Sequence, residues 1–216
     1  MEKNVLKLTV KASASAPPDT VKFTFFIRGD DRVYSYALEK MNRITEKLRK
    51  ILAKVAIPPE ALKTSEYRIS ELSYTVYEEN QKREAFWGFR AEQELILRMA
   101  KDQEKLKKVL DALVTSQVNV PFRLSFELRD EESLRMEAYR KALARARKLA
   151  ETLAREAGLV LGEILSIETD WREEEIAPPF ILREETIAAR RIPVDLEPEA
   201  IKVEGAVTVK WELRRK

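Results

Sequence analysis

The chain predicts an α+β fold, two βα-rich subdomains whose mostly antiparallel sheets pack against three main helices. Stretches that alternate polar and apolar residues, the period of a half-buried strand, are kept apart from stretches in which apolar residues recur at steps of three and four, the period of a helix. A composition of 44% hydrophobic and 36% charged residues is that of a globular chain with a heavily charged surface. A length of 216 residues supports a sizeable core, because a chain of this size buries roughly 70% of the surface it exposes when unfolded. The whole of 1–216 is expected to form one unit with approximate subdomains 1–100 and 101–216, between which strands are free to exchange.

Leu6, Leu8, Val10 and Ala12 share one face of a first strand, and Val21, Phe23, Phe25 and Ile27 share one face of a second, with Pro17-Pro18-Asp19 turning the chain between them. Gly29-Asp30-Asp31 reads as a turn and helix N-cap. A helix over 33–55 follows, with Val33, Ala37, Met41, Ile44, Leu48, Ile51 and Val55 as its apolar stripe and Pro58-Pro59 as its stop. From Leu62 the apolar residues change phase, Tyr67 and Ile69 being odd and Leu72, Tyr74 and Val76 even, so a bulge is expected near Ser70-Glu71. The alternating run from Trp87 to Met99 completes a long hairpin with this strand. Asp102 caps a helix over 102–116, and Val118 to Leu128 alternate as a strand in which Pro121 favours an edge or the strand's beginning. Asp130 opens the longest helix, 131–157, closed by Gly158. Its apolar side combines Leu134, Ala138, Ala142, Leu149 and Leu153 with Ala146, Ala150, Ala154 and Ala157. A strand through Leu165, Ile167, Thr169 and Trp171, and a last one from Ile201 to Leu213, complete the pattern.

The chain contains no histidine and no cysteine. It therefore lacks the side chain that titrates unperturbed near neutral pH, and it lacks thiolate nucleophiles, disulfides and zinc–thiolate cages. No catalytic, cofactor-binding or metal-binding residue is assigned, no cofactor is expected, and the chain reads as a non-enzyme. The raw material for the alternative, a carboxylate-dependent hydrolase, is Glu173-Glu174-Glu175 and Glu184-Glu185, which lack a partner nucleophile or a phosphate-cradling glycine loop. The 40 basic and 37 acidic side chains leave a net charge of +3, a weak basic excess for a nucleic-acid binder. The Arg-rich faces of the helices, with Arg135, Arg140, Arg145 and Arg147 on the third, read first as salt-bridged solvent faces and second as a polyanion-binding surface.

The long connection before the last strand carries Pro178-Pro179 and the apolar residues Trp171, Phe180, Ile181, Leu182 and Ile187, which form the candidate interface. Apolar residues behind a stiff diproline fit docking onto this subunit or a neighbour. No run reaches the length of a membrane-spanning helix. The first residues lack the apolar run of an export signal, so the cytoplasm is the expected compartment if Met1 is the native start.

A series of short motifs runs along the chain: Ala16-Pro17-Pro18-Asp19-Thr20, Leu62-Lys63-Thr64-Ser65-Glu66-Tyr67, Gly88-Phe89-Arg90-Ala91, Leu124-Ser125-Phe126-Glu127-Leu128, Ala142 to Glu151, Leu161-Gly162 and Pro198 to Val203. Their order resembles that of the SIMPL domain family. The resemblance implies a bacterial protein that forms homo-oligomers, with a link to stress defence. It implies a periplasmic or secreted location if an export signal has been removed. No catalytic residue is carried over. Function is accordingly expected to be non-enzymatic oligomeric assembly or interaction, the alternative being a polyanion or nucleic-acid module on the Arg-rich helix faces. A nucleic-acid partner is the less expected of the two, and no small-molecule ligand is assigned.

Overall fold

A computed structural model describes residues 4–78, 81–116, 118, 120–169 and 196–215. In chain order the elements are β1 (Val5–Ala16), β2 (Thr20–Asp31), α1 (Tyr34–Lys54), β3 (Leu62–Glu78), β4 (Gln81–Ala100), α2 (Gln103–Thr115), β5 (Phe122–Glu127), α3 (Glu131–Glu156), β6 (Leu159–Thr169) and β7 (Ile201–Arg215), with a 3-10 turn at Pro59–Ala61. The expected α+β class holds, with antiparallel pairing throughout. Two compact units divide these elements. They are not consecutive halves of the chain, because β1 pairs with β7 along its whole length, from Val5 opposite Glu212 to Ala16 opposite Ile201.

The first unit is a three-stranded sheet in the order β1-β7-β6 with α3 on one face. Alternation sends Val10, Ala14, Val203, Val207, Val209 and Trp211 toward the helix, and all are buried. From the helix come Ala138, Ala142, Ala146, Ala150 and Ala154, spaced by four residues and at most 2% exposed. Small residues on the helix thus meet large ones on the sheet. Leu149 and Leu153, expected on the buried side, are instead 42% and 41% exposed. A stripe repeating every four residues already fills the contact line, so residues one position before Ala150 and Ala154 fall on its flank. Asp130 caps α3 by accepting from the Ser133 N–H at 2.9 Å, and Gly158 takes φ of 72° just past its end.

The second unit is a four-stranded sheet in the order β3-β4-β2-β5, with α1 and α2 supplying the opposite side of its core. Val21, Phe23, Phe25 and Ile27 are buried against Met41, Leu48 and Leu52 of α1 and Leu106, Val109 and Leu110 of α2. Gly29 is a strand residue and not the expected turn: a Cβ there would lie 2.3 Å from the Ala37 carbonyl oxygen, so only glycine lets α1 approach β2. Asp31 accepts from the Val33 N–H at 3.0 Å, while the N-cap position itself is Val33, with no side-chain cap. Val33 is exposed and lies outside the stripe.

The β3–β4 hairpin forms as expected, but its irregularities fall at Ser65, which is extra on β3, and at Trp87, which is extra on β4 opposite the Leu72–Ser73 step. Here the phase change is absorbed across the ladder from the expected position. Asp102 caps α2 through the Lys105 N–H at 3.1 Å. Strand β5 begins at Phe122 rather than Val118, directly after Pro121, and lies at the sheet edge. The missing N–H of proline therefore falls where the ladder starts.

Replacing Ala146 or Ala150 by Leu overpacks a contact in which both side chains are fully buried. Each variant is expected to lose about 1–3 kcal/mol of stability, read as a lower denaturant midpoint with an unchanged m-value.

Candidate interaction surfaces

Charged groups in the described structure are arranged as clamps. In the second unit Arg90 grips Asp30 with both arms of its guanidinium, Nε to Oδ1 at 2.9 Å and Nη2 to Oδ2 at 2.8 Å. That hydrogen-bonded pairing holds the Asp30 carboxyl below the usual carboxylate range. Burial pushes the Glu127 carboxyl up, yet the hydrogen bonds from Lys22 at 2.9 Å and Arg98 at 3.0 Å outweigh it and leave the group lowered. Both carboxylates are ionised partners of fixed cations, the opposite of what a general acid near neutral pH needs. Among the described residues no group of three or more Asp and Glu side chains is placed to hold a metal ion.

Several helix cations are engaged in the same way. Arg43 pairs with Glu39, Arg135 with Glu131, Lys141 with Glu137 and Arg147 with Glu151, each one turn apart along its helix. These are salt-bridged solvent faces.

The apolar surface lies elsewhere. Strand β6 is an edge of its sheet, and Val160, Ile164, Leu165 and Ile167 on it are all 44–50% exposed. Ile164 stands opposite Trp211 and Ile167 opposite Val209, so both point to the face that α3 occupies. Their partners on β7 are covered and they are not, because α3 packs mainly on β1 and β7. Between the C-terminal half of α3 and β6 this leaves an apolar groove of about 470 Å³, with Trp211, Leu161 and Ile164 in its lining and Arg147, Glu151 and Arg155 along the helix side.

In the second unit, aromatic residues gather where α1 begins. Tyr34 meets Phe89 edge-on at 5.6 Å between ring centres and Phe86 meets it at 5.4 Å, while Tyr34, Tyr36, Phe86 and Trp87 remain exposed. An open cavity of about 680 Å³ in the same unit mixes Phe26, Ile44 and Pro121 with Arg28, Glu92 and Glu94. It brings no nucleophile–base pair together.

The sequence-predicted interface residues Trp171, Phe180, Ile181, Leu182 and Ile187 lie outside the described residues, as do Glu173-Glu174-Glu175 and Glu184-Glu185. Sequence reading missed the bare face of β6, although its apolar density was visible from Leu159 to Ile167. Alternation marks a strand but does not tell which strands a helix covers.

Over residues 6–211 the chain matches the family model described as SIMPL, protein of unknown function (DUF541). No curated protein matches it.

The Asp30–Arg90 clamp generates a pH-dependent prediction. A carboxyl whose pKa is lowered on folding contributes stability above its unfolded value, about 3.9 for Asp. That contribution is lost as pH falls through the lower folded value. Arg90→Gln is expected to cost about 1 kcal/mol near neutral pH for a pair of this exposure. The gap from the unsubstituted protein should close below about pH 4, as read in denaturant titrations across the acid range.

Proposed function

The chain belongs to the SIMPL family, and we propose that it acts as a non-enzymatic assembly protein, associating with copies of itself through apolar surface centred on β6. The observation that carries this reading is the edge strand whose Val160, Ile164, Leu165 and Ile167 stand half-exposed beside an apolar groove. A long edge with contiguous apolar side chains is a surface that proteins normally blunt or cover. Covering the exposed part of these side chains is worth on the order of a few kcal/mol before the cost of association is subtracted. The sequence adds Trp171 and Phe180-Ile181-Leu182 shortly after β6 ends, which extends the apolar material available to a neighbouring copy. A role in stress defence rests on the family resemblance alone and follows from assembly rather than from catalysis.

Light scattering tests this reading. The protein is expected to run as a discrete oligomer. Ile164→Lys combined with Ile167→Lys should lower the mass while leaving the far-UV helix signal intact, since exposed positions tolerate polar residues within about 0.5 kcal/mol. Phe180, Ile181 and Leu182 replaced together by Ser should also lower it. A monomeric unsubstituted protein, or unchanged mass in both variants, refutes the proposal.

A further inference from the structure

The face of the β1-β7-β6 sheet that α3 leaves open carries a pairing that sheet energetics disfavours. Lys7 on β1 stands directly opposite Lys210 on β7. Like charges at opposed positions destabilise an antiparallel pair. One repeat along the same face, Thr9 and Thr208 face each other with their hydroxyl oxygens 2.9 Å apart, and one repeat further Lys11 stands opposite Ala206. Two of the acids on this face are engaged with other cations, Glu212 with Arg214 at 2.8 Å and Glu204 with Lys202 at 3.5 Å. On the neighbouring strand Ser166 lies opposite Lys210 and Glu168 opposite Thr208. Among the described residues Lys7, Lys11 and Lys210 form no ion pair.

We propose that this face is an anion site for a short phosphate polyanion, an oligophosphate. Adjacent strands lie about 4.8 Å apart and same-face residues on one strand about 7 Å apart, so the Lys7 and Lys210 ammonium groups and the two hydroxyls share one small area, with Lys11 about 14 Å along β1 from Lys7 on a flexible stem. Their combination suits a compact group of high negative charge, which satisfies several ammoniums at once and accepts hydrogen bonds from the hydroxyls. No aromatic side chain stands in the β1 and β7 rows of this face, which run through Val5, Thr9, Ser13 and Ala206 as well as the lysines. That absence of a stacking platform disfavours a single-stranded nucleic acid. Glu204 and Glu168 bound the patch and keep it short. Ligand binding relieves the Lys7–Lys210 repulsion, so the site gains affinity from a strain that the free protein carries.

Inorganic tripolyphosphate is the probe, with calorimetry at low salt and thermal unfolding as readouts. The unsubstituted protein is expected to bind it, with affinity falling as salt rises, and to melt higher in its presence. Lys210→Glu turns the repulsive pair into an opposite-charge pair. It should melt no lower than the parent without ligand and bind tripolyphosphate at least tenfold more weakly, so lost binding is separated from lost folding. Lys50→Glu on α1 changes net charge by the same amount and should leave binding within twofold. No binding by the parent overturns the proposal, as does equal loss in the two variants or retained binding in Lys210→Glu. Tighter binding of an oligothymidylate than of tripolyphosphate overturns it in favour of a nucleic-acid surface.

Discussion

The close approach of α3 to its sheet governs what the first unit buries and what it leaves bare. Five alanines at four-residue spacing carry no side chain beyond Cβ, so the helix backbone settles directly on Val207, Val209 and Trp211. Gly205 continues the same device from the sheet side, since a Cβ there would come within 2.8 Å of the Tyr139 ring. A helix held this close reaches only a narrow strip. It seals β1 and β7 and stops short of Ile164 and Ile167, whose exposure is a geometric consequence of the alanine stripe rather than an independent feature.

The second unit solves the same packing problem with the opposite distribution of volume. Its helices bring Met41, Leu48, Leu52 and Leu110 to a sheet that already carries Phe23, Phe25 and Phe126, and two helices rather than one cover the face. The α1 backbone makes its close approach to the sheet at Gly29, where it crosses β2. The outward face of this sheet is stitched by charges, with Asp30 held by Arg90, and Glu127 by Lys22 and Arg98. Asp30–Arg90 and Lys22–Glu127 join neighbouring strands and Arg98–Glu127 reaches across β2, and the lowered carboxyl pKa values belong to that structural task.

The three helices were legible to within a residue or two at each end, because each has a sustained apolar stripe and two have a capping aspartate. The β3–β4 hairpin was equally legible, its strands being adjacent in sequence. Partnership of β1 with β7 was not, since nothing local in Val5 to Ala16 indicates a partner at Ile201 to Arg215. The Lys7–Lys210 opposition is invisible for the same reason: neither lysine is unusual in its own strand, and only the register makes them neighbours. The misplacement of Leu149 and Leu153 has another origin. Hydrophobicity alone counts leucine and alanine alike toward the buried side, whereas burial follows the line of closest approach, which only alanine permits.

One sheet can therefore present two surfaces that do not compete. Ile164 and Ile167 share the side of Trp211 and Val209, while Lys7, Thr9 and Lys11 share the other side of the same strands. A neighbouring copy that covers β6 on the helix side leaves the lysine face open, and assembly multiplies that face instead of burying it. Weak anion sites gain most from such repetition, because a polyanion long enough to reach two of them meets the second at an effective concentration in the millimolar range. Net charge of +3 over the whole chain would not attract such a ligand. A small area in which Glu204 and Glu212 are already engaged and two lysines oppose one another provides the local field that composition alone conceals.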